Sequence, residues 1–146
     1  MLTYESKVHV DRPPAAVFPY LIEPQRQALW SDVPMKQLTS GPLATGSRME
    51  VTFGMGPIRA TVGLEISDLE PGRRMAFRSF SGPIRWDGEY SLTPGETGGT
   101  ELHQEGTLAF TGLWRLIEPI AGAEIKSGEV KELERLKAVV EEREPA

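Results

Sequence analysis

The sequence predicts an α+β protein: a curved antiparallel sheet of about six to seven strands, two short helices near its start and one long C-terminal helix. Three observations carry this expectation. Short stretches of alternating polarity fill the middle of the chain, and Gly- and Pro-rich turns separate them roughly every eight to twelve residues. One early segment, Asp11-Arg12-Pro13-Pro14 followed by Val17, Phe18 and Leu21, switches from strand-like alternation to helical spacing. Between Leu113 and Glu144, Leu133, Leu136 and Val140 recur at helical spacing, with Val130 one turn earlier and charges around the rest of the wheel.

The elements follow in order. Tyr4, Ser6, Val8 and Val10 alternate with Glu5, Lys7 and His9, which describes a half-buried first strand. Asp11 is the candidate N-cap, and proline is tolerated in a first helical turn. Pro24 breaks the short helix, and Gln25 to Leu29 adds a further turn before Trp30. Strands are expected at Met35 to Thr39, Arg48 to Phe53, Ala60 to Ser67, Arg74 to Phe80, around Trp86 to Leu92, and at Thr100 to Phe110. The glycine cluster Gly54-Met55-Gly56-Pro57 lacks the lysine and hydroxyl residue of a phosphate loop and reads as a hairpin turn. Arg143 to Ala146 reads as a fraying tail. The whole chain, 1–146, reads as one domain, without repeats or a long linker.

Composition narrows the function classes. Hydrophobic residues make up 39% and charged residues 25% of the 146, as a folded water-soluble domain requires. The absence of cysteine excludes disulfides, thiolate metal sites and thiol nucleophiles. A net charge of −5 argues against nucleic acid as partner, because phosphate binding needs clustered Lys and Arg. The first residues lack the layout of a secretory signal, and no apolar run reaches the ~20 residues of a membrane-spanning helix. A cytoplasmic location without membrane insertion is therefore expected, as a monomer or homodimer. Glu129, Glu132, Glu134, Glu141, Glu142 and Glu144 interleave with Lys131, Arg135, Lys137 and Arg143, which reads as a solvated helix face with i,i+4 pairs.

The run Val8-His9-Val10-Asp11-Arg12-Pro13-Pro14 with Val17-Phe18 resembles the opening of the polyketide cyclase/dehydrase branch of the START-like (SRPBCC) superfamily. Trp30, Gly41-Pro42-Leu43 with Gly46, Glu70-Pro71, Gly99-Thr100, Pro119 and Leu136-Lys137 match in order and spacing. The resemblance spans nearly the whole chain and implies the helix-grip (START/Bet v 1-like) fold, with a cavity between sheet and long helix. It does not fix a reaction, since fold and function are separable.

Candidate residues for that cavity are Trp30, Phe53, Leu64, Phe77, Ser79, Trp86, Tyr90, Gln104, Leu108, Ile117, Ala121, Ile125 and Gly128. Trp86 and Tyr90 share a strand face, where aromatics serve either core packing or a pocket wall. The resemblance implies a place for Trp30 near the pocket mouth, and the residue equally suits an anchor for the short helices. Gln104 is a polar residue on an apolar face, and a buried amide needs a partner in protein, water or ligand. Ser79 is a second such position. Gly122 and Gly128 each cost a helix up to ~1 kcal/mol, and either leave room for a ligand or allow close packing. Arg48 and Arg78 point away from the apolar face unless a strand slips by one residue. His9 and His103 lie on outward faces; His103 between Glu101 and Glu105 suits an adventitious cation at most, and no metal or cofactor is expected.

Binding of a small hydrophobic molecule, such as a lipid, polyketide or other aromatic metabolite, is the expected function. A ligand burying about 300 Å² of apolar surface gains roughly 7 kcal/mol before association costs. The alternatives are a cyclase or dehydratase enzyme, for which Tyr90 finds no inward His, Asp or Glu partner, and a protein-interaction module related to chaperone activators. The sequence shows no exposed apolar patch that would favour the latter.

Overall fold

A computed structural model describes residues 1–31, 33, 35–55 and 57–145, without the side chain of Met55. Seven strands form one antiparallel sheet: β1 (Leu2–Val10), β2 (Met35–Gln37), β3 (Arg48–Met55), β4 (Ile58–Glu70), β5 (Arg74–Ser81), β6 (Ile84–Pro94) and β7 (Thr100–Phe110). Their spatial order is β1-β7-β6-β5-β4-β3-β2. Strands β2 to β7 form a meander, and β1 pairs with β7 from Leu2 opposite Leu108 to Val10 opposite Thr100. The alternation read from the sequence holds: Tyr4, Val8, Val10, Val62, Leu64, Trp86, Tyr90, Leu102 and Phe110 are buried on one sheet face. Arg48 and Arg78 point away from it, with the Arg48 guanidinium stacked over the Phe80 ring at 4.2 Å. The hairpin turn's Gly56 lies outside the described residues.

The first helical region is three single turns rather than two short helices, namely α1 (Pro14–Val17), α2 (Pro19–Ile22) and α3 (Pro24–Gln27). Each begins on a proline, whose missing N–H costs nothing at a helix start but stops the helix before it. Pro13, not Asp11, stands at the N-cap of α1. The long helix is also shorter than the periodicity suggests. Residues 112–116 form a 3-10 turn, and α4 (Glu118–Arg143) starts with Pro119 in its first turn. Its C-terminal half clamps the fold through Leu133, Leu136 and Val140, all buried.

Arg12 fastens the end of α4. Its guanidinium donates to the Glu144 and Glu141 carbonyls, and Thr100 Oγ1 donates to the Arg12 carbonyl at 2.7 Å. Those carbonyls have no partner within the helix, and a cation there also favours the dipole. The Tyr20 hydroxyl donates to Glu144 at 2.8 Å. Glu144 is thus pinned, contrary to the expected fraying from Arg143, while Ala146 lies outside the described residues.

Candidate functional site

Helix α4 spans the concave sheet face and leaves an apolar hollow beneath its N-terminal half. An outer lobe of about 240 Å³ is lined by Phe53 of β3, by Ile84 and Phe110, and by Trp114, Ile117, Ala121, Ile125 and Gly128. An inner lobe of about 60 Å³ lies against Trp30, Leu64, Phe77, Trp86 and Tyr90. Val33, Phe53, Glu129 and Glu132 border both lobes, so the two adjoin one another.

The two helix glycines part company here. A Cβ on Gly122 would sit 2.0 Å from the Leu2 side chain, so this glycine permits close packing of α4 on β1. A Cβ on Gly128 would meet nothing within 4 Å, and this glycine opens the outer lobe. A second glycine pair shapes the floor. Gly106 and Gly88 pair across β7 and β6, and a Cβ on either would collide with the rings of Tyr4 and Phe77. Both rings therefore lie flat over the sheet. Trp86 packs on Phe77 edge-on at 5.4 Å and on Phe53 at 5.2 Å, and its Nε1 donates to the Tyr4 hydroxyl at 2.9 Å. Trp30 does two jobs: Nε1 donates to the Tyr20 carbonyl at 2.8 Å, and the ring meets Tyr90 edge-on at 6.4 Å.

Three of the residues expected in the cavity have other employment. Gln104 Nε2 donates to the Glu129 carbonyl and to Ser6 Oγ, tying β7 to α4 and β1. Ser79 Oγ accepts from the Trp86 backbone N–H at 2.9 Å, just past the last β5–β6 register pair, Arg78 with Asp87. Leu108 is buried in the core and borders neither lobe.

The expected solvated acidic face needs correction at two positions. Glu129 and Glu132 are only 7% and 8% exposed, whereas Val130, expected inward, is 41% exposed. The reason is geometric: Ile125, Glu129, Glu132, Leu133, Leu136 and Val140 recur at steps close to a helical turn, and that row faces the sheet. Glu132 accepts from Ser31 Oγ at 3.4 Å. Glu129 has no hydrogen-bond partner for its carboxyl among the described residues, and neither has the Tyr90 hydroxyl. Burial first, and then the neighbouring Glu132, push the Glu129 carboxyl up to about 8, so it is mostly protonated at neutral pH. Burial likewise raises the Tyr90 phenol well above its ordinary value, with Glu129, Tyr4 and Glu132 adding to the effect. The Tyr4 phenol is raised as well, by burial foremost and then by Glu129 and Glu132, against the lowering effect of its hydrogen bond with Trp86. Tyr90 therefore does have inward carboxyl neighbours.

Two features lie outside the cavity. Glu5, His103 and Glu105 bring possible ligand atoms within 4.8 Å of one another on the outer sheet face, while Glu101 pairs instead with His9. Leu113, Leu116 and Ile120 are exposed around the start of α4, an apolar patch that the sequence reading lacks. The 3-10 turn shifts their phase relative to the inward row of α4, which turns them to solvent. Among the described residues, no helix is long and apolar enough to cross a membrane.

A curved seven-stranded antiparallel sheet gripping one long helix over an apolar hollow defines a protein of the helix-grip class. The chain belongs to the family described as polyketide cyclase / dehydrase and lipid transport, whose model matches residues 1–141. Among solved structures it is similar to the ZhuI aromatase/cyclase from Streptomyces sp. R1128 (TM-score 0.80, 16% identity, covering 99% of this chain and 96% of that one). It is similar too to TTHA0849 from Thermus thermophilus (TM-score 0.79, 14% identity, covering 99% and 100%). A third likeness is to Ara h 8.0201 (TM-score 0.70, 14% identity, covering 95% and 97%). No curated protein matches the chain.

Proposed function

We propose that this chain binds one small, largely apolar molecule in the hollow between sheet and helix. The observation that carries this reading is the two-lobed cavity itself, with its wall of aromatic and aliphatic side chains and an outer lobe held open by Gly128. A concave, mostly apolar site with a few convergent polar groups is the usual form of a small-molecule site. Membership of the family and the likeness to an aromatase/cyclase support a planar or polyketide-like ligand.

The sequence's three tryptophans, Trp30, Trp86 and Trp114, all border the cavity, so occupancy is readable as a change in tryptophan fluorescence. Titration with the neutral apolar dye N-phenylnaphthylamine is expected to saturate at one molecule per chain. The variant Gly128→Leu, which projects a side chain into the outer lobe, is expected to weaken that signal strongly while remaining folded. A dye response that does not saturate, or that Gly128→Leu leaves intact, overturns the proposal.

A second reading, a cyclase or dehydratase, gains support from Glu129 and Glu132, because acid–base chemistry on a bound chain needs inward groups of this kind. Native mass spectrometry of a polyketide-like substrate before and after incubation separates the two: a mass change requires the enzyme, an unchanged bound mass the carrier.

A further inference from the structure

Most polar groups in the interior are accounted for. Trp86 Nε1 is bonded to Tyr4, Trp30 Nε1 to Tyr20, Gln104 to Ser6 and the Glu129 carbonyl, and Ser79 to the Trp86 amide. Three side chains at the inner lobe stand apart. Gln27 Oε1 is a buried acceptor without a partner among the described residues. The Glu129 carboxyl and the Tyr90 hydroxyl are both more than nine-tenths buried, both border the inner lobe, and neither has a hydrogen-bond partner among the described residues. A buried polar group without a partner costs about 1–3 kcal/mol, as Gln27 Oε1 does here, and three unpartnered polar groups at one lobe point to a partner that is not part of the chain.

The chemistry of the pair defines that partner. A phenol and a protonated carboxyl each offer one O–H donor. Around them the inner lobe supplies rings and aliphatic walls: Trp30, Phe77 and Trp86, with Leu64 below. Two donors bordering one apolar lobe suit an oxygen with two lone pairs, and Gln27 Oε1 adds an acceptor to the same lobe.

We infer that Tyr90 and Glu129 together hold the carbonyl oxygen of an uncharged, apolar, cyclic ligand, such as an aryl ketone or quinone, at the inner end of the cavity. This rests on the cavity-binding reading and specifies its ligand class. The site also carries a pH dependence, because Glu129 must keep its proton to donate. Among the described residues, the ionisable groups facing Glu129 are Tyr4 from β1, Tyr90 from β6 and Glu132 from its own helix, with Glu124, Lys131 and Arg135 lining the outer lobe. With the Glu129 proton lost, a carboxylate confronts the ligand oxygen, and the Tyr90 hydroxyl has a charged competitor for its own hydrogen.

The test compares α-tetralone with tetralin, a bicyclic pair that differs by the carbonyl, with affinity read from tryptophan fluorescence. Two neutral hydrogen bonds predict about tenfold tighter binding of the ketone near pH 6, falling to a ratio near one at about pH 9.5. Tyr90→Phe is expected to lower the ratio about threefold at the lower pH. Glu129→Gln, whose amide still donates, keeps a ketone preference and loses its pH dependence, and Glu129→Leu removes most of the preference. Equal binding of ketone and hydrocarbon at both pH values overturns the carbonyl site alone. Binding of neither compound, with no dye binding either, overturns the cavity reading from which it starts. A ketone preference that Tyr90→Phe and Glu129→Leu both leave intact places the carbonyl elsewhere and overturns the assignment.

Discussion

Burial of Glu129 makes the stability of the unliganded protein fall as pH rises, and Glu129→Gln is expected to remove that fall. In the unfolded chain the carboxyl titrates near its ordinary value of 4.5; in the fold it titrates at about 8. Between those values the folded state holds a proton that the unfolded state has released, so unfolding becomes easier with increasing pH. The stabilisation is complete below the unfolded value, declines through the window and is gone above the folded value. Each pH unit inside the window costs about 1.4 kcal/mol, so moving from about pH 5.5 to about pH 7.5 costs about 3 kcal/mol. For a chain of this length that is a fall in Tm of roughly 6–12 °C. Glutamine keeps the shape and a donor without a titrating proton. Urea unfolding of both proteins at several pH values isolates the effect, since the other ionisable groups are shared and largely cancel in the difference. The variant's stability curve should be flatter by about 3 kcal/mol across those two units. Parallel curves would refute the buried, protonated carboxyl, and with it the donor role at the inner lobe.

Other substitutions probe the scaffold. Gly128→Ala is expected to stabilise the protein by up to about 1 kcal/mol, because the site is open and alanine favours helix. Gly122→Leu should destabilise by about 1–3 kcal/mol, because its side chain enters space held by Leu2; urea midpoints separate the two glycines. Arg12→Ala strips the partners from the Glu141 and Glu144 carbonyls, and faster amide hydrogen exchange is expected in the last turn of α4, with about 2 kcal/mol lost in stability. Tyr4→Phe leaves the buried Trp86 indole N–H without its acceptor and should cost about 1–3 kcal/mol, with a shift in tryptophan emission.

The architecture was legible in the sequence because its signals are local. A strand with one buried face must alternate, so Tyr4 to Val10, Ala60 to Ile66 and Thr100 to Phe110 each announce both strand and orientation. Glycine and proline mark the reversals for equally local reasons. Leu133, Leu136 and Val140 declare the clamp of α4 in the same way. Polar residues on apolar faces were visible too, yet their roles were not. Gln104 and Ser79 stand out in the sequence as ligand contacts or satisfied core groups, and only the backbone groups beside them, the Glu129 carbonyl and the Trp86 amide, make them structural.

The inward carboxyls lay beyond a hydropathy reading. Glu129 lies four residues before Leu133 and seven before Leu136, which places it on the buried row by spacing alone. Charge made the solvated face the simpler expectation, and Val130 took its place in the apolar stripe. A charged residue on such a row is tolerated only where an adjoining hollow and a retained proton spare it full desolvation as an ion, and both conditions are set by distant strands. Tyr90 on β6 and Glu129 on α4 come together only because β1, pairing with β7, brings the sheet edge under the helix. Periodicity and turn chemistry thus specify the sheet, the helix and their apolar faces, since those depend on neighbours in the chain. Which polar groups share the enclosed space, whether they find partners, and which protonation state they hold depend on burial and on contacts across the fold.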